Sequence, residues 1–449
     1  MPSVYVQDYL EHINCFNSFY ESEPNKKSPN DFIKAFDSLI QSLVKNGFHE
    51  TQDKILITNK GELINGAHRV SAAAALESEI DVHIVQEKDE VYDFAYFQAK
   101  NLAEHVSDRG AIGTLEIESN TRLLIVYPVV SSRFESEIEI QIAKRGVLFY
   151  KKLLPADFNL ISNIKLLNYY IHGDINHQAW IGTASNMFRG IQIHAQNSMG
   201  TGKIRFYLIR NISNEDFLQL KLDLRKLFGV ENFSLHGTDT FSETQDVIRT
   251  VCHSESLKCA KASLKPATVQ LAGWLQELAG SIEDNHSIKS QFCIGGSGSL
   301  AAFGARQISD LDLLSERTLK DLQNIGFVSF HNLNEIPYPS KVRECLIDPE
   351  KHFYFLGFKF ISLREIQKMK MKRRETKDLY DLRLLEEIIE HKTWSSNILT
   401  WSGNRLLTMF YWGARHYVRT FLLASKRFLA RSPHLMKLLK KVKSLLTFR

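Results

Sequence analysis

Ile294-Gly295-Gly296-Ser297-Gly298-Ser299-Leu300, followed by Asp310-Leu311-Asp312-Leu313, is the stretch on which the reading of this chain turns. A strand over residues 292–294 delivers a glycine turn, and a helix beginning near Leu300 is expected to pack behind it. Glycines let backbone approach a polyphosphate closely, which makes Gly296, Gly298 and the Ser299 hydroxyl the candidate nucleotide contacts. Asp310 and Asp312 alternate on a short strand, so both carboxylates face one side and can share Mg²⁺. Two such ions would activate an attacking oxygen and stabilise a leaving pyrophosphate. Ser309 stands where it can orient the pair. The plainer alternative is a glycine turn followed by the solvated end of an acidic strand.

This spacing resembles the nucleotidyltransferase superfamily, whose pattern is a Gly-Ser turn followed by Asp-x-Asp. The resemblance extends to Lys377-Asp378-Leu379-Tyr380-Asp381-Leu382, a Lys-Asp…Asp-Leu helix end found after the catalytic sheet in several bacterial members. It implies a third catalytic carboxylate from a later strand. Asp348, in Leu346-Ile347-Asp348, is the candidate, with Glu344 second.

Upstream, Asn65-Gly66-Ala67-His68-Arg69 stands at the mouth of an alanine-rich helix. A helix N-terminus beside an arginine is suited to an anion. The box resembles the superfamily shared by ParB partition proteins, sulfiredoxins and certain amino-acid kinases, over about residues 28–90. That resemblance implies a nucleoside triphosphate, ATP or CTP, on Gly66, His68 and Arg69. Ala67 stands where sulfiredoxins carry their reactive cysteine, which excludes sulfinate repair. The structural alternative makes His68 and Arg69 hydrogen-bond donors in a hairpin.

Working outward, the 449 residues predict a multidomain α/β (α+β) protein. Its expected parts are a ParB/sulfiredoxin-like domain at 1–115, a central α/β domain at 121–260, a nucleotidyltransferase-like domain at 265–393 and a helical basic tail at 394–449. Ser28 with Pro29 and Asp31 predicts a capped helix that ends at Gly47. Strands are expected at 55–58, 62–64, 80–85, 123–130, 146–150 and 204–209, and helices from about Val70 and at 160–171 and 214–227. In His236-Gly237-Thr238-Asp239-Thr240, Thr240 and Glu243 form a capping box. The same cluster, like Arg133, could instead face a substrate at a strand end. The arrangement faintly resembles proteins of bacterial surface-polysaccharide assembly, which would supply a glycan or small-molecule acceptor.

Charge is divided unevenly. Twelve of the 56 Lys and Arg follow Glu390, where no acid occurs, leaving 44 bases against 51 acids, about −7, in residues 1–391. That balance makes DNA an unsuited partner for the body. In the tail, Leu406, Phe410, Tyr417 and Phe421 interleave with Arg405, Arg415 and Arg419, the pattern of an interfacial helix on an anionic membrane through residues 396–449. A helix packed on the body and an RNA-binding arm are its alternatives. Five scattered cysteines without a CxxC, and a start lacking an apolar run, predict a cytoplasmic protein, peripheral at the inner face of the membrane.

Overall fold

A computed structural model describes residues 3–390 apart from 23–24, 49–54, 60, 62, 87–91, 174–178, 231, 283–285, 318, 320–321, 323 and 331–337. The tail, with its expected membrane-binding helix, lies outside the described residues. Residues 1–389 form one compact unit of mixed α/β structure.

Three sheets follow one another along the chain. The first joins β1 (Ile55–Thr58), β2 (Leu63–Asn65) and β3 (Val82–Val85) in the order β2-β1-β3. Its leading helix, Pro29–Asn46, begins where expected: Ser28 accepts from the Asp31 N–H, and Gly47, at φ +73°, returns its N–H to Leu43. The second sheet contains β4 (Thr121–Val126), β5 (Val147–Leu154), β6 (Ile204–Arg210) and β7 (Leu235–Gly237), ordered β5-β6-β4-β7. All its neighbouring pairs are antiparallel. β4 and β5 both pair with β6 and not with each other. The expected helix at 160–171 divides into an α-helix, Phe158–Leu166, and a π-helical turn, Leu167–Ile171.

The third sheet holds β8 (Phe292–Gly295), β9 (Leu311–Ser315), β10 (Val328–Phe330), β11 (His352–Phe355) and β12 (Phe358–Ile361), ordered β10-β9-β8-β12-β11. β8 is central and fully buried, antiparallel to β9 and parallel to β12. Leu356 and Gly357, both at positive φ, close the β11–β12 hairpin in the manner of a type I′ turn. One hydrophobic core runs from Leu123 and Phe206 of the second sheet, through Leu271 and Leu275 of helix Pro266–Ser281, to Phe292 and Phe360 of the third. All five cysteines are free. No helix among the described residues is long and apolar enough to cross a membrane.

Candidate active site

The turn after β8 is shaped around one carboxylate. β8 and β9 pair so that Gly295 lies opposite Asp312 and Ile294 opposite Leu313. Leu311 and Leu313 are completely buried, so Asp312, alternating with them, is directed to the other side of β9; Asp310, expected on the same strand, lies just before it, and both aspartates are partly exposed. Ser309 donates to Asp310 at 3.0 Å. Gly296 has φ +60° and ψ −131°, and a Cβ there would overlap the Asp312 carboxylate outright. Gly296→Ala is therefore expected to cost about 1–3 kcal/mol through backbone strain and displacement of Asp312. Chemical denaturation would measure that loss, and an unchanged midpoint would refute the contact.

Tyr338 completes the turn. Its hydroxyl accepts the Gly296 N–H at 3.1 Å, which leaves its own proton to donate. Burial, with the nearby Asp312 charge adding to it, pushes the phenol pKa up and keeps it protonated. Nothing in the sequence marked Tyr338, which is 42 residues from its partner and belongs to no motif.

Two of the expected nucleotide contacts take other roles. Ser299 is completely buried, and its hydroxyl donates to the Ile361 carbonyl at 2.8 Å, tying helix Ser297–Ala302 to the end of β12. Gly298 faces Ile294, whose Cγ2 would stand 2.7 Å from an added Cβ, so its missing side chain serves helix–strand packing. Gly296 keeps its place at the carboxylate, and the partly exposed Ser297 is the hydroxyl beside it.

The third-carboxylate assignment also needs correction. Asp348 follows a helix, Val342–Ile347, and not a strand. Its carboxylate accepts the Glu350 N–H at 3.0 Å and lies 3.9 Å from Lys351, which also holds Glu344 at 2.7 Å. Lys351 directly precedes β11, and β12 and β8 stand between that strand and β9, a lateral spacing of about 14 Å at ~4.8 Å per strand. Asp348 and Glu344 are thus held by Lys351, on the far edge of the sheet. Among the described residues no group of three or more His, Cys, Asp or Glu converges as a metal site. Asp310 and Asp312 nevertheless suit Mg²⁺, which commonly takes one or two carboxylates and fills its remaining positions with water and substrate phosphates.

Behind the turn, the Lys-Asp…Asp-Leu segment forms a buried ion cluster. Asp378 and Asp381, both inaccessible, meet the buried Lys370 at 3.1 and 2.7 Å. Arg373 adds two hydrogen bonds to Asp378. Arg306, on the loop leading to Asp310, pairs with Asp381 and ties the motif loop to helix Thr376–Ile389. Burial alone would raise the Asp378 carboxyl, but Arg373 and Lys370 bring it down to about 2.

In the N-terminal box, Gly66 adopts φ +100° and helix Ala67–Ala75 follows. His68 turns inward: its Nε2 meets the Tyr9 hydroxyl at 2.8 Å, and its ring packs against Tyr9 and Phe36. Burial, then the Lys26 charge, lowers its pKa and favours the neutral ring. His68 therefore fastens two helices, and any anion contact passes to Arg69 and the backbone. In the central unit, Glu243 accepts the Asp239 N–H at 2.8 Å and donates its own N–H to Thr240 at 3.1 Å, the structural capping arrangement. Arg133 is exposed and lies over the Phe134 ring. A pocket of about 50 Å³ between Arg249, Lys289, Tyr354 and Lys359 shares no residue with the Asp310–Asp312 turn.

No protein family, curated protein or solved structure compared with the chain matches it.

Proposed function

We propose that the chain is a Mg²⁺-dependent nucleotidyl- or phosphotransferase that draws on a nucleoside triphosphate. The observation that carries this reading is the seating of the Asp312 carboxylate on Gly296, where no side chain fits, with Asp310 two residues before it at the entry to β9. That arrangement keeps two anionic oxygens at the mouth of a turn whose backbone can be approached closely. Asp310 and Asp312 would hold the metal, which when bound neutralises phosphate charge and polarises the phosphoryl group. Tyr338 fixes the turn through Gly296, and Arg306 steadies the loop that carries the aspartates. Incubation of the protein with labelled ATP or CTP and a panel of sugar, lipid and amino-acid acceptors, with and without Mg²⁺, tests the assignment. Turnover indifferent to Mg²⁺, or none with any nucleotide, would count against it.

The second reading is a nucleotide-binding regulatory protein with an inert transferase fold. The engagement of Asp348 and Glu344 by Lys351 favours it, since no other third carboxylate joins Asp310 and Asp312 among the described residues. On that reading the nucleotide belongs to the box at Gly66 and Arg69. In full-length protein carrying Asp310→Asn and Asp312→Asn, adding Arg69→Ala should weaken triphosphate binding by about 1.5–3 kcal/mol, as for a charge-assisted hydrogen bond. Titration calorimetry reads this directly, and equal affinities would remove Arg69 from the site.

A further inference from the structure

The central unit buries a lysine that no acceptor serves. Lys165, on helix Phe158–Leu166, is completely inaccessible, and its Nζ has no hydrogen-bond partner. It lies 3.7 Å from the centre of the Tyr127 ring, a favourable face contact that supplies no hydrogen-bond acceptor. Burial lowers its pKa, and no acid offsets that effect. The Tyr127 hydroxyl, both polar atoms of the Asn168 amide and Nδ1 of His194 are likewise buried without a hydrogen bond of good geometry, although the Asn168 amide lies close enough to the Tyr127 hydroxyl to act on it. The nearby acid, Glu243, is already committed to His236 at 2.7 Å.

These groups belong to one place. Asn168 lies on the π-helical turn that directly follows the Lys165 helix, a feature that recurs at functional sites. Tyr127 directly follows β4, and the Asn168 amide acts on its hydroxyl, opposing the rise that burial causes. His194 comes from helix Arg189–Ser198 and is close enough for the Lys165 charge to depress its pKa, after burial, to about 3. Trp180, 42% exposed, covers His194 and Tyr169 with ring centres 5.0 and 5.2 Å away, so the cluster sits one aromatic layer beneath the surface. An unpaired buried polar group commonly costs about 1–3 kcal/mol, and four side chains here share that condition.

A lysine, a phenol, an amide and an imidazole can all donate, and a ligand rich in acceptors would satisfy them together. We propose that Lys165, Tyr127, Asn168 and His194 form a buried receptor for a small oxyanion, a carboxylate or a phosphate-type group. This site is separate from the Asp310–Asp312 turn and does not depend on the nucleotide reading. A bound anion favours the ammonium form of Lys165, opposing the effect of burial, so proton uptake accompanies binding to the extent that the amine was neutral.

Calorimetry on the full-length protein at pH 7 with EDTA tests this, titrating acetate in one arm and sulfate in the other. Sulfate stands for a phosphate group without titrating itself, and each arm is run in Tris and in Hepes to count protons. At least one ion should bind once per chain, with uptake of no more than one proton. Lys165→Met should weaken it about tenfold or more and remove any uptake, and Tyr127→Phe should weaken it several-fold. The methionine variant should fold at least as stably as the parent, because it removes a buried amine without an acceptor; if it does not fold, Tyr127→Phe alone decides. Failure of both ions to bind, or undiminished affinity in the folded variants, would overturn the receptor.

Discussion

Asp310→Asn combined with Asp312→Asn is expected to lower Mg²⁺-dependent nucleotide turnover by about 10³-fold or more, since a single electrostatic group at a reacting centre is commonly worth ~10²–10³. The fold should survive, because both side chains are partly exposed at the turn and neither belongs to the hydrophobic core. Relieving the carboxylate charge next to Tyr338 should leave the Gly296 N–H bond in place, so circular dichroism and the thermal midpoint should change little. Single-turnover measurement at saturating Mg²⁺ separates lost chemistry from weakened metal binding. Full activity in the double variant would end the catalytic assignment, whichever acceptor is used.

The largest stability effect is expected at Lys370. Its ammonium faces two inaccessible carboxylates, and Lys370→Met leaves Asp378 with Arg373 and Asp381 with Arg306 to carry the whole compensation. Removing one partner of a buried ion cluster typically costs about 3–5 kcal/mol. Denaturant unfolding measures it, and a loss below about 1 kcal/mol would show that the arginines suffice. The cluster also sets an acid limit. The Asp378 carboxyl titrates at about 2 in the folded chain, below the roughly 3.9 of an unfolded aspartate. Its contribution is therefore complete above pH ~4 and is lost as pH falls toward ~2. Asp378→Asn should flatten that part of the stability profile.

Contacts between near neighbours along the chain were legible before any fold was known. The caps at Ser28 and Thr240 are contacts between residues three apart, and each forms as read. The apolar runs at 55–58, 204–209 and 292–294 become strands because their side chains fit a buried sheet wherever it lies. The spacing from Gly296 to Asp312 was legible because a turn, a short helix and a returning antiparallel strand span that distance in only one simple way. The direction in which each polar group faces was set by long-range packing. Ser299 looked like a phosphate ligand until Ile361, 62 residues away, took its hydroxyl. Asp348 was chosen as a strand residue, yet it follows a helix and stands next to Lys351. Lys165 carried no signal at all, since a lysine within a helical pattern reads as solvated until its surroundings close over it. Each of these outcomes depends on a partner brought from far along the chain, and residue spacing carries no record of such distances.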